Sequence, residues 1–299
     1  MIRSPQLVLV VLLTLFAVAP AHAGTCVPSS TVACFQDGRF SATIDWMDFD
    51  TNTGSGQVLP LGVDETTVVW FADPELPDLY LKVLDGTQVN NFFWVFYGSL
   101  SNWEFTITVT DTETGEAAVY FNPLGTFDSV ADTAALPGTA PAAALPAFAR
   151  IGREPAMSTV DGPLACVPDA TTLCIEGGRF RVVVDWEDFG GVTGQGDAMP
   201  VTGQSGYFAL FGSQVDLMVK LFDGGQGSFG FFYGATTTIE YTITVTDVCT
   251  GATQEYLNPL GVGPSSFGDF NAFPATPTCL PIFADGFESG NTSAWLAGL

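Results

Sequence analysis

The sequence predicts an all-β protein built as two tandem antiparallel β-sandwich domains of immunoglobulin-like type. Three observations carry that prediction. The chain repeats itself about 140 residues on. Apolar residues within each copy alternate with a period of two. Short glycine-containing turn signals separate the alternating runs, and no amphipathic helical pattern intervenes.

The repeat sets the number of units. Cys26-Val-Pro returns as Cys166-Val-Pro, and the same offset joins Cys34 to Cys174, Arg39-Phe40 to Arg179-Phe180, Asp45-Trp46 to Asp185-Trp186 and Asp48-Phe49 to Asp188-Phe189. After two short deletions in the second copy, Lys82 matches Lys220, Tyr97-Gly98 matches Tyr233-Gly234, and Asn122-Pro-Leu-Gly matches Asn258-Pro-Leu-Gly. A unit of about 110 residues is an ordinary domain size. The expected boundaries are a signal peptide at 1–23, a first repeat at 24–136, an Ala/Pro-rich linker at 137–163, a second repeat at 164–278 and a tail at 279–299. Leu136 to Pro163 reads as a semi-extended connector, with a short helix near 141–151 as the alternative.

The leader is read from Arg3, the apolar run Leu7 to Val18 and the small-x-small triplet Ala21-His22-Ala23. That run is shorter than the roughly 20 residues a spanning helix needs, so cleavage after Ala23 and export to the exterior or the cell surface are expected. No later stretch is long and apolar enough to cross a bilayer, so no transmembrane segment is expected. Cleavage removes His22, the only histidine. Without it the chain cannot run Ser-His-Asp or Cys-His catalysis, and it lacks the ligand of ordinary zinc sites.

The charge balance narrows the partners. With 32 acidic residues against 8 basic ones the net charge is −24, which repels phosphate backbones and anionic lipid, so nucleic acid is not an expected partner. Charged residues make up only 13% of the chain, so the surface is expected to be uncharged-polar more than densely acidic. At 47% hydrophobic with 25 phenylalanines, each copy can build a core.

Strands follow from the alternation. Phe40, Ala42, Ile44 and Trp46 alternate with polar residues, as do Phe180, Val182, Val184 and Trp186. Trp103, Phe105, Ile107 and Val109 form a second half-buried strand that returns through Asp111 to Gly115 as Ala117 to Phe121, a hairpin. Further strands are expected at 67–71, 79–84 and 92–97. Six to eight strands per copy indicate an antiparallel sandwich.

Six cysteines allow 15 pairings. Each copy holds a pair at one spacing, so Cys26–Cys34 and Cys166–Cys174 are expected, leaving Cys249 for Cys279. Closing so short a loop contributes roughly 2–3 kcal/mol.

Several residues could carry chemistry. Asp45 and Asp48, with Asp185 and Asp188, could serve as paired carboxylates in glycoside hydrolysis. Three residues along a strand span about 10 Å, at or beyond the separation that chemistry uses. The structural reading has the Trp facing the core and Asp48 capping a turn. Asp48-x-Asp50-x-Asn52 suggests a calcium loop, but Thr53 and Leu59 stand where such a loop needs Gly and Glu, and no metal ligand is assigned. The run Phe92 to Tyr97 offers either an aromatic platform for a glycan or a central strand covered on both sides. On the first reading Phe93, Trp94, Tyr97 and Tyr233 face a ligand. Lys82 and Lys220, the only lysines, are expected to pair with Glu104 and Glu240, or with Asp85 and Asp223. A sharper alternative is an isopeptide bond from each lysine to Asn122 or Asn258, with Glu104 or Glu240 moving the proton.

The tail Ile282-Phe-Ala-Asp-Gly-Phe-Glu-Ser-Gly resembles C-terminal tails of secreted Gram-negative bacterial proteins. The repeated unit, with its RF, DW, DF, KVLDG and NPLG motifs, is similar to repeat modules of exported bacterial proteins. The resemblance implies export and repeat architecture, and it brings no activity with it. The expectation is therefore a secreted or surface-associated structural or binding module without catalysis or cofactor, its partner a protein or a glycan. The alternatives are a carboxylate-dependent glycan hydrolase or lyase, and a calcium-stabilised accessory domain.

Overall fold

The computed structural model describes residues 25–138, 166–225 and 227–275; over these the chain is all-β, with four antiparallel sheets. The expected signal peptide, nearly all of the connector and the tail lie outside the described residues. In the first module β1 (Ala33–Phe35), β2 (Phe40–Met47), β8 (Glu104–Asp111) and β9 (Ala117–Asn122) pair in that order, with β3 (Thr53–Ser55) beside β2. The facing sheet runs β10 (Ser129–Pro137), β7 (Phe92–Ser99), β6 (Leu79–Asp85), β5 (Thr66–Trp70), β4 (Gln57–Pro60), with a four-residue helix α1 (Thr87–Asn90) between β6 and β7.

The second module repeats this order. One sheet is β11 (Leu173–Ile175), β12 (Phe180–Glu187), β18 (Glu240–Asp247) and β19 (Thr253–Asn258), with β13 (Thr193–Gln195) beside β12. The other is β14 (Asp197–Thr202), β15 (Ser205–Ala209), β16 (Leu217–Asp223), β17 (Ser228–Ala235), β20 (Ser265–Pro274). Five strands face five in each module, where an immunoglobulin constant-type sandwich sets four against three. Ten strands per module replace the expected six to eight. Those not anticipated include the three-residue β1 and β3, too short to show a period, and the long β10, whose pairing shifts register between Asp132 and Leu136. Leu136 is buried in the first core, so the first module extends through the residue from which the connector was expected to start.

Alternation builds the cores. Phe40, Ala42 and Ile44 from β2, with Phe105, Ile107 and Val109 from β8, meet Leu79, Leu81 and Val83 from β6 and Val95 from β7. Each large apolar side chain so buried contributes about 1.5–3 kcal/mol. Arg39 closes one end of the first sandwich, its Nη2 2.8 Å from Asp111 Oδ2 and its guanidinium over the Phe93 ring at 4.4 Å. Arg179 repeats both contacts with Asp247 and Phe229, at 2.8 and 4.6 Å. Disulfides join Cys26 to Cys34 and Cys166 to Cys174, as expected. Cys249 is also disulfide-bonded; Cys279, its expected partner, lies outside the described residues.

The β4–β7 and β14–β17 sheets are covered twice. Their inner faces meet their own sandwich, and their outer faces meet each other across a shared apolar cluster of Val68, Tyr80, Leu100, Val215, Met218 and Phe232. Equivalent residues touch. Ser129 and Ser266, each paired in register with the matching glycine Gly98 or Gly234, hydrogen-bond to one another. At Gly234 an added Cβ would sit 2.7 Å from the Gly98 carbonyl carbon. Contacts between equivalent positions mark a local two-fold axis, so this is a self-complementary face used twice.

The lysines lie on that axis-related face. Lys220 Nζ is 3.2 Å from Asp78 Oδ1, and Lys82 Nζ donates to the Val215 carbonyl at 2.6 Å with Asp216 Oδ1 at 3.8 Å. This corrects the expected pairing with Glu104, Glu240, Asp85 or Asp223. Each lysine reaches the other module because its strand is covered on both faces and a half-buried or buried aspartate, Asp216 or Asp78, stands across the boundary to offset its charge. The proposed bond to asparagine fails for the same reason. Asn122 Nδ2 is committed to the Trp103 and Thr126 carbonyls, and Asn258 Nδ2 to those of Ile239 and Val262.

Candidate functional site

The aromatic run does not form a platform. Phe93, Tyr97 and Tyr233 are 5%, 1% and 7% exposed and point into the sandwiches, which corrects their expected ligand-facing role. Tyr97 donates to Asp128 Oδ2 at 2.7 Å; burial, reinforced by that carboxylate, raises its phenol well above the ordinary value. Trp94 alone of the four is only half-buried, and its Nε1 donates to Asn90 Oδ1 at 2.9 Å. The alternative reading, a central strand covered on both sides, holds toward the Gly98 end of β7, where the other module meets it; Phe92, Trp94 and Phe96 on its outer face are half-buried.

The open concavities lie on the opposite sheets, and they match. One groove is formed by Asp45, Trp46 and Met47 of β2, Thr53, Gly54 and Ser55 of β3, and Glu104, Phe105 and Thr106 of β8, with a volume near 470 Å³. Its counterpart, near 370 Å³, uses Asp185 to Glu187, Thr193 to Gln195 and Glu240 to Thr242. Strand parity explains the lining. Asp45, Met47, Ser55, Glu104 and Thr106 share the solvent face, whereas Trp46 and Phe105 turn to the core.

Each groove orients its first carboxylate through the short strand beside it. Ser55 Oγ donates to Asp45 Oδ1 at 3.2 Å, and Gln195 Nε2 donates to Asp185 Oδ1 at 3.0 Å. Beneath, the indole lies flat on a glycine: a Cβ at Gly54 or Gly194 would stand 2.6 or 2.5 Å from Cζ2 of Trp46 or Trp186. Both indole Nε1 atoms are buried without a hydrogen-bond partner. The arrangement offers carboxylate and hydroxyl acceptors on a shallow strand floor, suited to holding a hydrogen-bond donor in place.

The turn bordering each groove is locked. Asp48 Oδ1 accepts the backbone N–H of Asp50 and Asn52, and Asp48 Oδ2 accepts Asn52 Nδ2. Those bonds hold the Asp48 carboxyl below its usual range, the Asn52 side chain contributing most. Asp188 takes the same role through Gly190 and Val192. Thus the carboxylate expected either to bind calcium or to cap a turn is engaged as a cap. The turn presents Phe49, 56% exposed, and its counterpart Phe189, 66% exposed. The sequence singled out Asp45 and Asp185 but missed Thr53 and Ser55, because β3 is too short to be read as a strand, and Thr106, whose place opposite Asp45 follows only from the β2–β8 register. The offset-matched Gly54 and Gly194 were the available signal.

Fold and grooves together define a class, a two-module β-sandwich protein with a matching polar surface groove on each module. Compared with known proteins, the chain matches no family model, no curated protein and no solved structure. Among the described residues no helix is long and apolar enough to cross a membrane.

Proposed function

We propose that the chain is a non-catalytic, exported binding module that presents two equivalent grooves to one extended, hydroxyl-rich ligand, a neutral glycan. The observation that carries this reading is the duplication of the groove, with the same strand positions, the same Trp on Gly, the same oriented Asp and the same exposed Phe. Hydroxyl groups suit the carboxylate acceptors, and Phe49 and Phe189 supply an apolar face for sugar C–H groups at the groove edge. The net charge of −24 disfavours anionic polymers. Disulfides and the expected leader support an oxidising, extracellular location. Two weak sites on one ligand gain avidity of about 10²–10⁴ when both engage.

The test is binding of the full chain to neutral polysaccharides by glycan array and calorimetry. Phe49→Ala and Phe189→Ala should each lower apparent affinity by more than tenfold, through lost avidity, and the double variant should not bind. Binding that is indifferent to both phenylalanines would sink the proposal. Polysaccharide turnover lost in Asp45→Asn or Asp185→Asn would replace it with a carboxylate-dependent hydrolase or lyase.

A further inference from the structure

The surface joining the modules is self-complementary in outline but not in detail, and we infer that it is a docking site specific for the first module with the second, closed to a second copy of either. The charge pairs do not give this selectivity. Asp78 and Lys82 sit in the first module where Asp216 and Lys220 sit in the second, so two first modules, or two second modules, could exchange the same ion pairs.

Three one-sided contacts break the equivalence. Tyr80 is fully buried at the axis, its hydroxyl 3.0 Å from the Asp216 carbonyl and 3.1 Å from Thr236 Oγ1. In register the second module has Met218 in place of Tyr80, and the first has Leu100 in place of Thr236. A pair of first modules would set each buried phenol against a leucine, removing a hydrogen bond twice.

The second contact is steric. Phe127 of the first module inserts against Phe232 and Phe270 of the second, with ring centroids 5.9 and 6.2 Å apart. Its ring lies directly over Gly268, where any Cβ would press into it. The first-module residue in that register is Ala131, opposite Phe96 as Gly268 is opposite Phe232. Two first modules would therefore drive each Phe127 onto a methyl group. Two second modules would bring Gly263-Pro264 to the slot, with no aromatic ring to fill it.

The third contact is a hook. Glu75 receives Thr202 Oγ1 on its carbonyl at 2.7 Å and the Gly203 N–H on its carboxylate at 3.3 Å. Complementary contacts of this kind, together with clashes against the alternatives, are what partner selectivity requires. The consequence is a face that stays shut within one chain and leaves both grooves outward.

The test uses the full chain with a protease recognition site inserted between residues 139 and 165, cut after folding. The Cys26–Cys34 and Cys166–Cys174 disulfides do not bridge the cut. Native mass spectrometry should show one 1:1 particle of the two fragments. Mixing light and isotopically heavy cut protein should give no pair of first modules and no pair of second modules. Separated fragments, or self-pairs of either module, would overturn the inference. Gly268→Ala should speed dissociation of the cut pair by about tenfold or more, and in a Phe127→Ala background by less than about threefold. Should Gly268→Ala not fold, Phe127→Ala alone decides: faster dissociation is expected, and an unchanged rate overturns the role of the ring.

Discussion

Lys220 and Asp78 meet across the module boundary at 3.2 Å, with side chains 5% and 11% exposed, and 142 residues of chain separate them. The aspartate is shared: its Oδ1 takes the lysine and its Oδ2 accepts the Phe71 N–H at 2.7 Å. Removing the cation alone leaves a buried carboxylate facing apolar side chains. Lys220→Met should therefore destabilise the protein by about 3–5 kcal/mol. Adding Asp78→Asn keeps the acceptor for Phe71 and removes the orphan charge, so the double variant should recover most of the loss. Urea midpoints of the three proteins check this; a double variant no better than the single would contradict it.

Gly98 and Gly234 are where the two inner sheets cross. A methyl group on Gly234 would lie 2.7 Å from the Gly98 carbonyl carbon and 2.8 Å from the Ser99 oxygen, and both are backbone atoms unable to step aside. Gly234→Ala should cost about 1–3 kcal/mol as the modules are forced apart. At Gly224 an added Cβ meets nothing closer than 3.4 Å, so Gly224→Ala should change stability by less than about 0.5 kcal/mol. Thermal melts of both variants measure the contrast.

What the sequence reveals follows from what a periodic pattern encodes. Phe40 to Trp46 and Phe105 to Val109 alternate because one face is wet, and their strands and facing were readable. The residues Leu79 to Val83 are buried without a break because that sheet is covered twice. A period cannot say whether the second cover is a ligand or another module, so Phe93 and Tyr97 were assigned a solvent face they do not have. Lys82 and Lys220 stood out by rarity, but their partners lie across an interface that no local pattern encodes. The grooves were half legible: Asp45 and Asp185 were noticed, whereas Thr53 and Ser55 needed the β2–β3 register.

The lysines and asparagines also make a statement about mass. Lys82 Nζ faces Val215 and Lys220 Nζ faces Asp78, while Asn122 and Asn258 spend their amides on backbone carbonyls. Both lysine amines are engaged across the module boundary and not at an asparagine, so no isopeptide bond forms there. The intact mass of the purified protein should show no loss of ammonia, and tryptic mapping should recover the Lys82 and Lys220 peptides unlinked. A deficit of about 17 Da per module would mean that the side-chain placement at the interface is wrong.

Acid should unfold the protein partly through Asp247. Its side chain is 0% exposed and its carboxylate is held by Arg179 at 2.8 Å and by the Cys249 N–H at 3.0 Å. Burial pushes its pKa up, but the Arg179 and Cys249 hydrogen bonds outweigh this and the carboxyl titrates below its ordinary value. A carboxyl whose pKa is lower folded than unfolded, where it is near 3.9, binds protons more readily when unfolded. Its stabilisation is complete above about pH 5 and is lost as pH falls through the folded value. Asp247→Asn keeps the shape and removes the charge, so it should cost about 3 kcal/mol at pH 7 and progressively less toward pH 2. The twin pair Arg39–Asp111 is the same in both proteins, so the gap between them isolates Asp247. Denaturant midpoints for the two proteins from pH 7 down to 2 measure that gap; a gap of constant size would show that the bridge with Arg179 does not drive acid unfolding.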